Sequence, residues 1–228
     1  MRARPWLPDT RVIVIQWSFV MSELVFFANP QSRGRIAHWM LEEVGEPYTT
    51  QWLQYGPEMK SASYRAINPM GKVPALRHGN VVVTEAAAIC AYLADAFADK
   101  GLAPPPGHPA RAAYYRWMFF AAGPLESAVV AKSMGWEVPA GRNAMVGFGS
   151  YADTMNALET ALQPGPYVCG DQFTAADVYV GSSLGWGLQF GTIEKRPVFE
   201  AYVNRINARP AAQRANQLNE AQLQAAKP

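Results

Sequence analysis

The stretch Asn68-Pro69-Met70-Gly71-Lys72-Val73-Pro74-Ala75-Leu76, followed nine residues later by Glu85-Ala86, is the part of the chain best equipped for chemistry. Pro74 opens an apolar run, a place where a missing backbone donor is of no use to a strand. It is a position for a cis bond, which turns the chain sharply. Such a turn would present the Val73 N–H and C=O to a ligand, and an extended peptide can pair with a free edge of that kind. Glu85-Ala86 falls where a hairpin ends and a helix begins. Helix N–H groups welcome a carboxylate, while the Glu85 carboxylate can hold an ammonium. The set suits a small peptide that carries an amino-acid zwitterion. The same residues also read as a turn proline and an acidic first helical turn, and spacing alone leaves both readings open.

Periodicity supplies the scaffold for these residues. Leu24 to Ala28 is long enough for one buried strand, and Asn29-Pro30 breaks it. Arg33 to Val44 places Ile36, Met40 and Val44 on one helical face, with Gly45 as its cap. Tyr48 to Leu53 alternates as a strand, and Glu58 to Ile67 reads as a short irregular helix. Pro74–His78 and Val81–Thr84 flank Gly79-Asn80 as a hairpin, and Glu85 to Phe97 is helical. Crossover helices imply parallel strands and the hairpin an antiparallel pair, so the sheet is mixed.

A Pro-rich linker, residues 103–108, separates this unit from a stretch without strand alternation. There, Pro109 to Met134 reads as one long helix kinked at Gly123-Pro124, and Asn143 to Leu162 as another. Thr174 and Asp177 form a capping-box-like start to a helix running toward Phe190. A shorter helix, Pro197 to Ala208, stops before Pro210.

Composition narrows the class. Half of the 228 residues are hydrophobic and 17% are charged, which excludes a disordered chain. The formal net charge of +2 offers no basic face for nucleic acid. The first twenty residues hold three Arg and one Asp, so the other 208 residues carry 17 basic and 17 acidic side chains. Arg2, Arg4 and Arg11 before Val12–Ile15 give a faint signal-peptide look. Pro5, Pro8 and Asp9 interrupt it, and Gln16 splits the apolar core. Residues 1–20 read instead as an extension before a domain that begins at Met21. No run reaches the length of a membrane-spanning helix. Two cysteines, Cys90 and Cys169, make no disulfide framework and no metal-like cluster, which points to a reducing cytoplasm.

The β-α-β-α-β-β-α order, the NPxGKVP segment and the Glu85-Ala86 helix start together resemble a glutathione transferase. Phe173-Thr174-Ala175-Ala176-Asp177 resembles the capping motif of that family's helical domain, and Glu194 through Pro210 its closing helix. The resemblance spans about residues 21 to 220. It implies an α+β protein: a thioredoxin-like glutathione-binding domain over 21–102, then an all-helical domain over 109–228. It also implies that Val73, ahead of a cis Pro74, binds the cysteinyl part of glutathione through its backbone. Glu85 and Ala86 would take the γ-glutamyl end. Lys60, with Gln54 as the weaker alternative, would sit near the glycyl carboxylate, although a solvated surface lysine fits Lys60 as well.

The family places its activating residue between the first strand and first helix, here Asn29 to Arg35, where neither Tyr nor Cys occurs. Ser32 resembles the activating serine of some classes. Asn29 is its rival, and Arg33 or a backbone group is a further alternative. A plain helix cap is the structural role open to Ser32. The task itself is defined by the thiol: with a pKa near ~8.5, only about 3% is thiolate at pH 7. A downward shift of about two units corresponds to ~2.7 kcal/mol and makes the thiolate dominant near pH 7. One donor plus a helix N-terminus supplies an effect of that size.

The resemblance further implies a small hydrophobic electrophile as partner, no metal, and a homodimer. Tyr115, Phe119 and Trp186 are the candidates for the hydrophobic pocket, though aromatic stripes at helical spacing are often ordinary core. Cys90 reads as inert core, Cys169 as structural, and the three histidines carry no catalytic assignment. A glutathione-dependent peroxidase or reductase, and a non-catalytic binding protein of the same fold, remain the alternatives.

Overall fold

A computed structural model describes residues 23–226, so the extension over residues 1–20 lies outside the described residues. Four strands form one mixed sheet in the order β2-β1-β3-β4: β1 (Leu24–Ala28), β2 (Tyr48–Trp52), β3 (Ala75–His78) and β4 (Val81–Thr84). All five residues of β1 are buried, as suits a central strand covered on both faces. β1 and β2 run parallel, from Leu24 opposite Tyr48 to Ala28 opposite Trp52. β3 runs antiparallel to both neighbours, with Ala75 opposite Phe27 on one side and Thr84 on the other. This register has a direct consequence. The exits of β1, β2 and β4 and the entry of β3 all meet at one end of the sheet.

Helix α1 (Gly34–Val44) buries Ile36, Met40 and Val44 together with Ala37 and Leu41. It ends on Gly45, whose φ of 73° lets its N–H reach the Leu41 carbonyl at 2.9 Å. The Glu58–Ile67 stretch yields only one short helix, α2 (Ala62–Arg65), with Ser61 as its cap. Helix α3 (Ala86–Ala96) starts at the sheet end just described.

The second unit is helical. The expected long helix is divided into α4 (Arg111–Phe120) and α5 (Glu126–Ser133) by a π-helical turn over Ala121–Leu125. Pro124, which has no N–H to donate, sits inside that turn, so the kink foreseen at Gly123-Pro124 takes the form of a wide turn. The helix expected from Asn143 begins later. Residues Asn143–Met145 make a single 3-10 turn, and α6 (Tyr151–Leu162) starts after Gly147 and Gly149, capped by Ser150. Helix α7 (Ala175–Phe190) begins at the foreseen capping box, and α8 (Pro197–Asn207) comes next.

Asp177 anchors this unit. Its buried carboxylate accepts from the Val168 N–H, the Thr174 N–H and the Tyr202 hydroxyl, each at 2.8 Å. The Ala175 N–H reaches back to the Leu102 carbonyl at 2.8 Å, which ties the start of α7 to the last residue of the first unit.

One element went unread in the sequence. Pro210, taken as a stop, is the first residue of α9 (Pro210–Ala225). A proline at that position loses nothing, because its N–H would be unpaired there in any residue. α9 returns to the first unit and packs along α1, with Arg214 bonded to Glu42 and Arg35 to Glu220. The main hydrophobic core runs without a break from β1 through α1 and α3 into α4, α7 and α9. Among the described residues no helix is long and apolar enough to cross a membrane.

Candidate active site

The sheet end gathers three loops. The first carries Val73-Pro74, whose peptide bond is cis. Its shape is held from behind: the Lys72 carbonyl accepts from the Tyr64 hydroxyl and the Asn68 amide, both at 2.7 Å. Gly71, at φ 57°, leaves room that a side chain would lose, since a Cβ there would lie 2.5 Å from the Met59 carbonyl oxygen. Among the described residues neither the N–H nor the C=O of Val73 has a hydrogen-bond partner. The free edge expected from the sequence is therefore present. Lys60 donates to the Met70 and Gly71 carbonyls at 3.0 and 2.7 Å, which fixes its ammonium beside that edge.

The second loop is the start of α3. Because Ala75 pairs with Thr84, Pro74 and Glu85 flank the same rung of the hairpin. Glu85 is the one described non-glycine residue with positive φ, at 69°. A residue held in that region costs of order 1–3 kcal/mol. The strain turns the chain abruptly from β4 into α3 and leaves the Glu85 carboxylate in solvent next to the first N–H groups of the helix.

The third loop joins β1 to α1. Asn29 is 3% exposed, and its amide is committed to structure. Nδ2 donates to the Leu53 carbonyl at 2.8 Å and Oδ1 accepts from the Gln31 N–H at 2.9 Å. It clips the loop to the end of β2. Ser32 donates to the Asn29 carbonyl at 2.7 Å and accepts from the Gly34 N–H at 2.9 Å, so its hydroxyl caps the first turn of α1. The Arg33 N–H has no acceptor among the described residues.

These loops form one wall of a cleft of about 770 Å³ between the two units. The facing wall comes from α5 and α7, with Leu223 of α9 closing one side. Along α7, Tyr179, Ser183, Trp186 and Phe190 recur at helical spacing and all line the cleft. Arg33 reaches across to form an ion pair with Glu126 at the start of α5. Apolar side chains such as Leu125, Val129 and Trp186 make this half of the cleft greasy, whereas Ser32, Lys60 and Val73 make the other half polar.

The structure thus brings Ser32, Lys60, Val73 and Trp186 into one cleft, with Pro74, Glu85 and Ala86 beside Val73 at its edge. It does not bring the remaining candidates there. Asn29 is buried behind the loop. Gln54 is exposed, and its backbone N–H is taken by Glu58 at 2.5 Å. Tyr115 and Phe119 lie on the outer face of α4, because that helix buries Tyr114, Trp117 and Met118 instead. Tyr115 accepts a hydrogen bond from Arg111, and Phe119 is 73% exposed. Burial pushes both cysteine thiols up, Cys169 to about 12, so neither competes as a thiolate. Sequence reasoning missed Tyr179 and Glu126. The polar Ser183 interrupting the Tyr179–Trp186 stripe was the signal for the first, and Glu126 left no signal of its own.

The fold and the cleft together define a two-domain protein that offers a backbone edge and two helix starts to a small peptide, with an apolar chamber beside it. Comparison with known proteins gives that class its name. The sequence profile of the glutathione S-transferase N-terminal domain matches residues 33–96, and that of the C-terminal domain matches residues 148–210. Glutathione S-transferase A of Pleuronectes platessa is 30% identical over 188 residues, covering 75% of this chain and 81% of its own. A glutathione transferase structure from Methylococcus capsulatus aligns with a TM-score of 0.73 at 28% identity, covering 87% of this chain and 99% of that one. A sphingomonad glutathione S-transferase solved in complex with glutathione aligns with a TM-score of 0.70 at 27% identity, over 86% and 98% of the two chains. The chain belongs to the glutathione S-transferase family.

Proposed function

We propose that the protein conjugates glutathione to small hydrophobic electrophiles, with Ser32 as the side chain that activates the thiol. The observation that carries this reading is the unpaired Val73 backbone facing Ser32 in one cleft. Glutathione is a peptide, and its cysteinyl N–H and C=O complete that edge in the manner of an added strand. Its γ-glutamyl zwitterion meets the Glu85 carboxylate and the start of α3, and its glycyl carboxylate faces Lys60. The cysteinyl sulfur then falls near the start of α1. There the Ser32 hydroxyl, turned from the Asn29 carbonyl, and the unpaired Arg33 N–H both favour the thiolate over the thiol. The sulfur faces the apolar half of the cleft, where an electrophile is held within reach and water is excluded.

The cytoplasm suits two free thiols and a thiol co-substrate. A homodimer accounts for the apolar side chains left outside the cleft, Tyr115 and Phe119 on α4 and Val81 and Val82 on the β4 edge.

The test has two parts. The protein should be retained on immobilised glutathione and should turn over an aryl halide. Ser32→Ala should then lower the thiolate absorbance of bound glutathione, while Asn29→Ala should act mainly by loosening the loop. A folded protein that ignores glutathione overturns the transferase reading. Thiolate absorbance lost in Asn29→Ala and kept in Ser32→Ala overturns the choice of activator.

A further inference from the structure

Each carbonyl from Met70 to Lys72 is held by a side-chain donor. Lys60 takes the first two, and the Lys72 carbonyl takes two donors at once, the Tyr64 hydroxyl and the Asn68 amide, each at 2.7 Å. Both donors are nearly sealed from solvent, at 4% and 3% exposure. Val73, the next residue, lines the cleft with no partner at either backbone group among the described residues. Two buried side chains thus converge on one carbonyl, directly before the backbone that stays free.

We infer that Tyr64 and Asn68 are positioning residues for glutathione: through the Lys72–Val73 peptide they aim and strengthen the N–H that the cysteinyl carbonyl accepts. The inference rests on the transferase reading above. The Lys72 carbonyl and the Val73 N–H belong to one planar unit. Among the described residues the cis bond is Val73–Pro74, so the Lys72–Val73 peptide is trans and its C=O and N–H point in opposite directions. Turning the carbonyl inward therefore turns the N–H outward. A carbonyl that accepts two hydrogen bonds also polarises its own amide, which makes the N–H a stronger donor.

The two side chains suit this task. The Tyr64 ring packs among Val25, Phe27, Met59 and Ala75, with the Phe27 ring centroid at 5.9 Å, so its hydroxyl sits at the tip of a fixed arm. Burial pushes the phenol up to about 12, which keeps it a donor at neutral pH. Asn68 works in two directions. Its Nδ2 donates to the Lys72 carbonyl, and its Oδ1 accepts from the Met70 N–H at 3.0 Å, which spans the turn at Gly71. Neither residue lines the cleft, so each acts through the peptide.

The probe is S-methylglutathione, which keeps the cysteinyl N–H and C=O and, lacking a thiol, leaves Ser32 out of the measurement. Tyr64→Phe removes the hydroxyl and keeps the ring. It should weaken binding by about three- to tenfold, the scale of one net hydrogen bond. Asn68→Asp keeps Oδ1 for Met70 but sets a carboxylate against the Lys72 carbonyl, and it should cost more than about tenfold. In both variants the KM for glutathione should rise, while kcat at saturating glutathione and the KM for benzyl chloride change by less than about twofold. The Val73 amide proton, followed by NMR in isotope-labelled protein, should move downfield when wild type binds the probe and upfield in free Tyr64→Phe. Either variant serves if the other fails to fold, and the wild-type resonance serves without them. A folded variant with wild-type affinity, a Val73 resonance indifferent to Tyr64→Phe, or one unmoved by bound probe in wild type overturns the inference. A fall in kcat with an equal rise in both KM values, the mark of a loosened fold, overturns it as well. A wild-type protein that binds no probe overturns the transferase reading, and the inference with it.

Discussion

The guanidinium of Arg209 grips the carboxylate of Glu43 with two parallel hydrogen bonds, Nε to Oε1 and Nη2 to Oε2, each at 2.7 Å. The contact joins the turn between α8 and α9 to the outer end of α1. The same guanidinium lies 3.6 Å from the Phe173 ring centroid, and Glu43 also accepts from the Trp39 indole at 2.9 Å. With its side chain only 6% exposed, Glu43 depends on this partner. Arg209→Ala should therefore cost ~3 kcal/mol, because it leaves a buried carboxylate without its cation. Arg209→Lys should recover only part of that, since an ammonium cannot make the paired contact or stack on the ring. Urea unfolding of the three proteins gives the ranking, and equal stability of Arg209→Ala and wild type would contradict it.

A second expectation concerns pH. His38 is buried on α1, with Nε2 2.8 Å from the Tyr48 hydroxyl and Asn219 of α9 beside the ring. Burial lowers its pKa. Asn219 and Glu42 pull it back upward and Arg35 pushes it down. A group whose folded pKa is depressed binds its proton more readily in the unfolded chain. Its contribution to stability is complete above the unfolded value, about 6.5, and is lost as pH falls through the lower folded value. The thermal midpoint should decline on acidification below pH ~6.5, and His38→Gln should flatten that part of the profile. Parallel profiles for the two proteins would rule this out.

Two glycines of α7 should respond in opposite ways to alanine. At Gly187 a Cβ would lie 2.3 Å from Cγ1 and Cδ1 of Ile193 and 2.8 Å from its Cβ, so the loop after α7 would have to move. Gly187→Ala should cost about 1–3 kcal/mol, in the range of overpacked cores. It should also weaken electrophile binding, because Gly187 lines the cleft. At Gly185 the nearest atom would be Val203 Cγ1 at 3.6 Å, an ordinary contact. Gly185→Ala should gain up to about 1 kcal/mol from helix propensity. Thermal melts of the two variants should move in opposite directions.

What was legible in the sequence was local. The cis Val73-Pro74 bond, the Glu85 turn into α3 and the Thr174–Asp177 capping box each depend on a few neighbouring residues, and each was read where it stands. What failed was long-range. Helical spacing identified an aromatic surface on α4, but only packing decides that Tyr114 turns inward while Tyr115 and Phe119 turn away from the cleft. Asn29 carries an amide suited to a sulfur, but the Leu53 carbonyl, 24 positions away, claims it first. Pro210 read as a terminator because a proline looks alike at a helix end and at a helix start, and only the packing of residues 211–225 against α1 decides between them.

The return of α9 onto α1 also bears on how the protein is made. A ribosome delivers the sheet and α1 early, yet the surface of α1 that receives α9 has no cover until residues 210–225 have emerged. Throughout that interval the newborn chain shows an apolar flank and the charged pair Glu42 and Glu43, whose arginine partners do not yet exist. Translation stalled before α9 would leave a sticky nascent chain with an unfinished cleft.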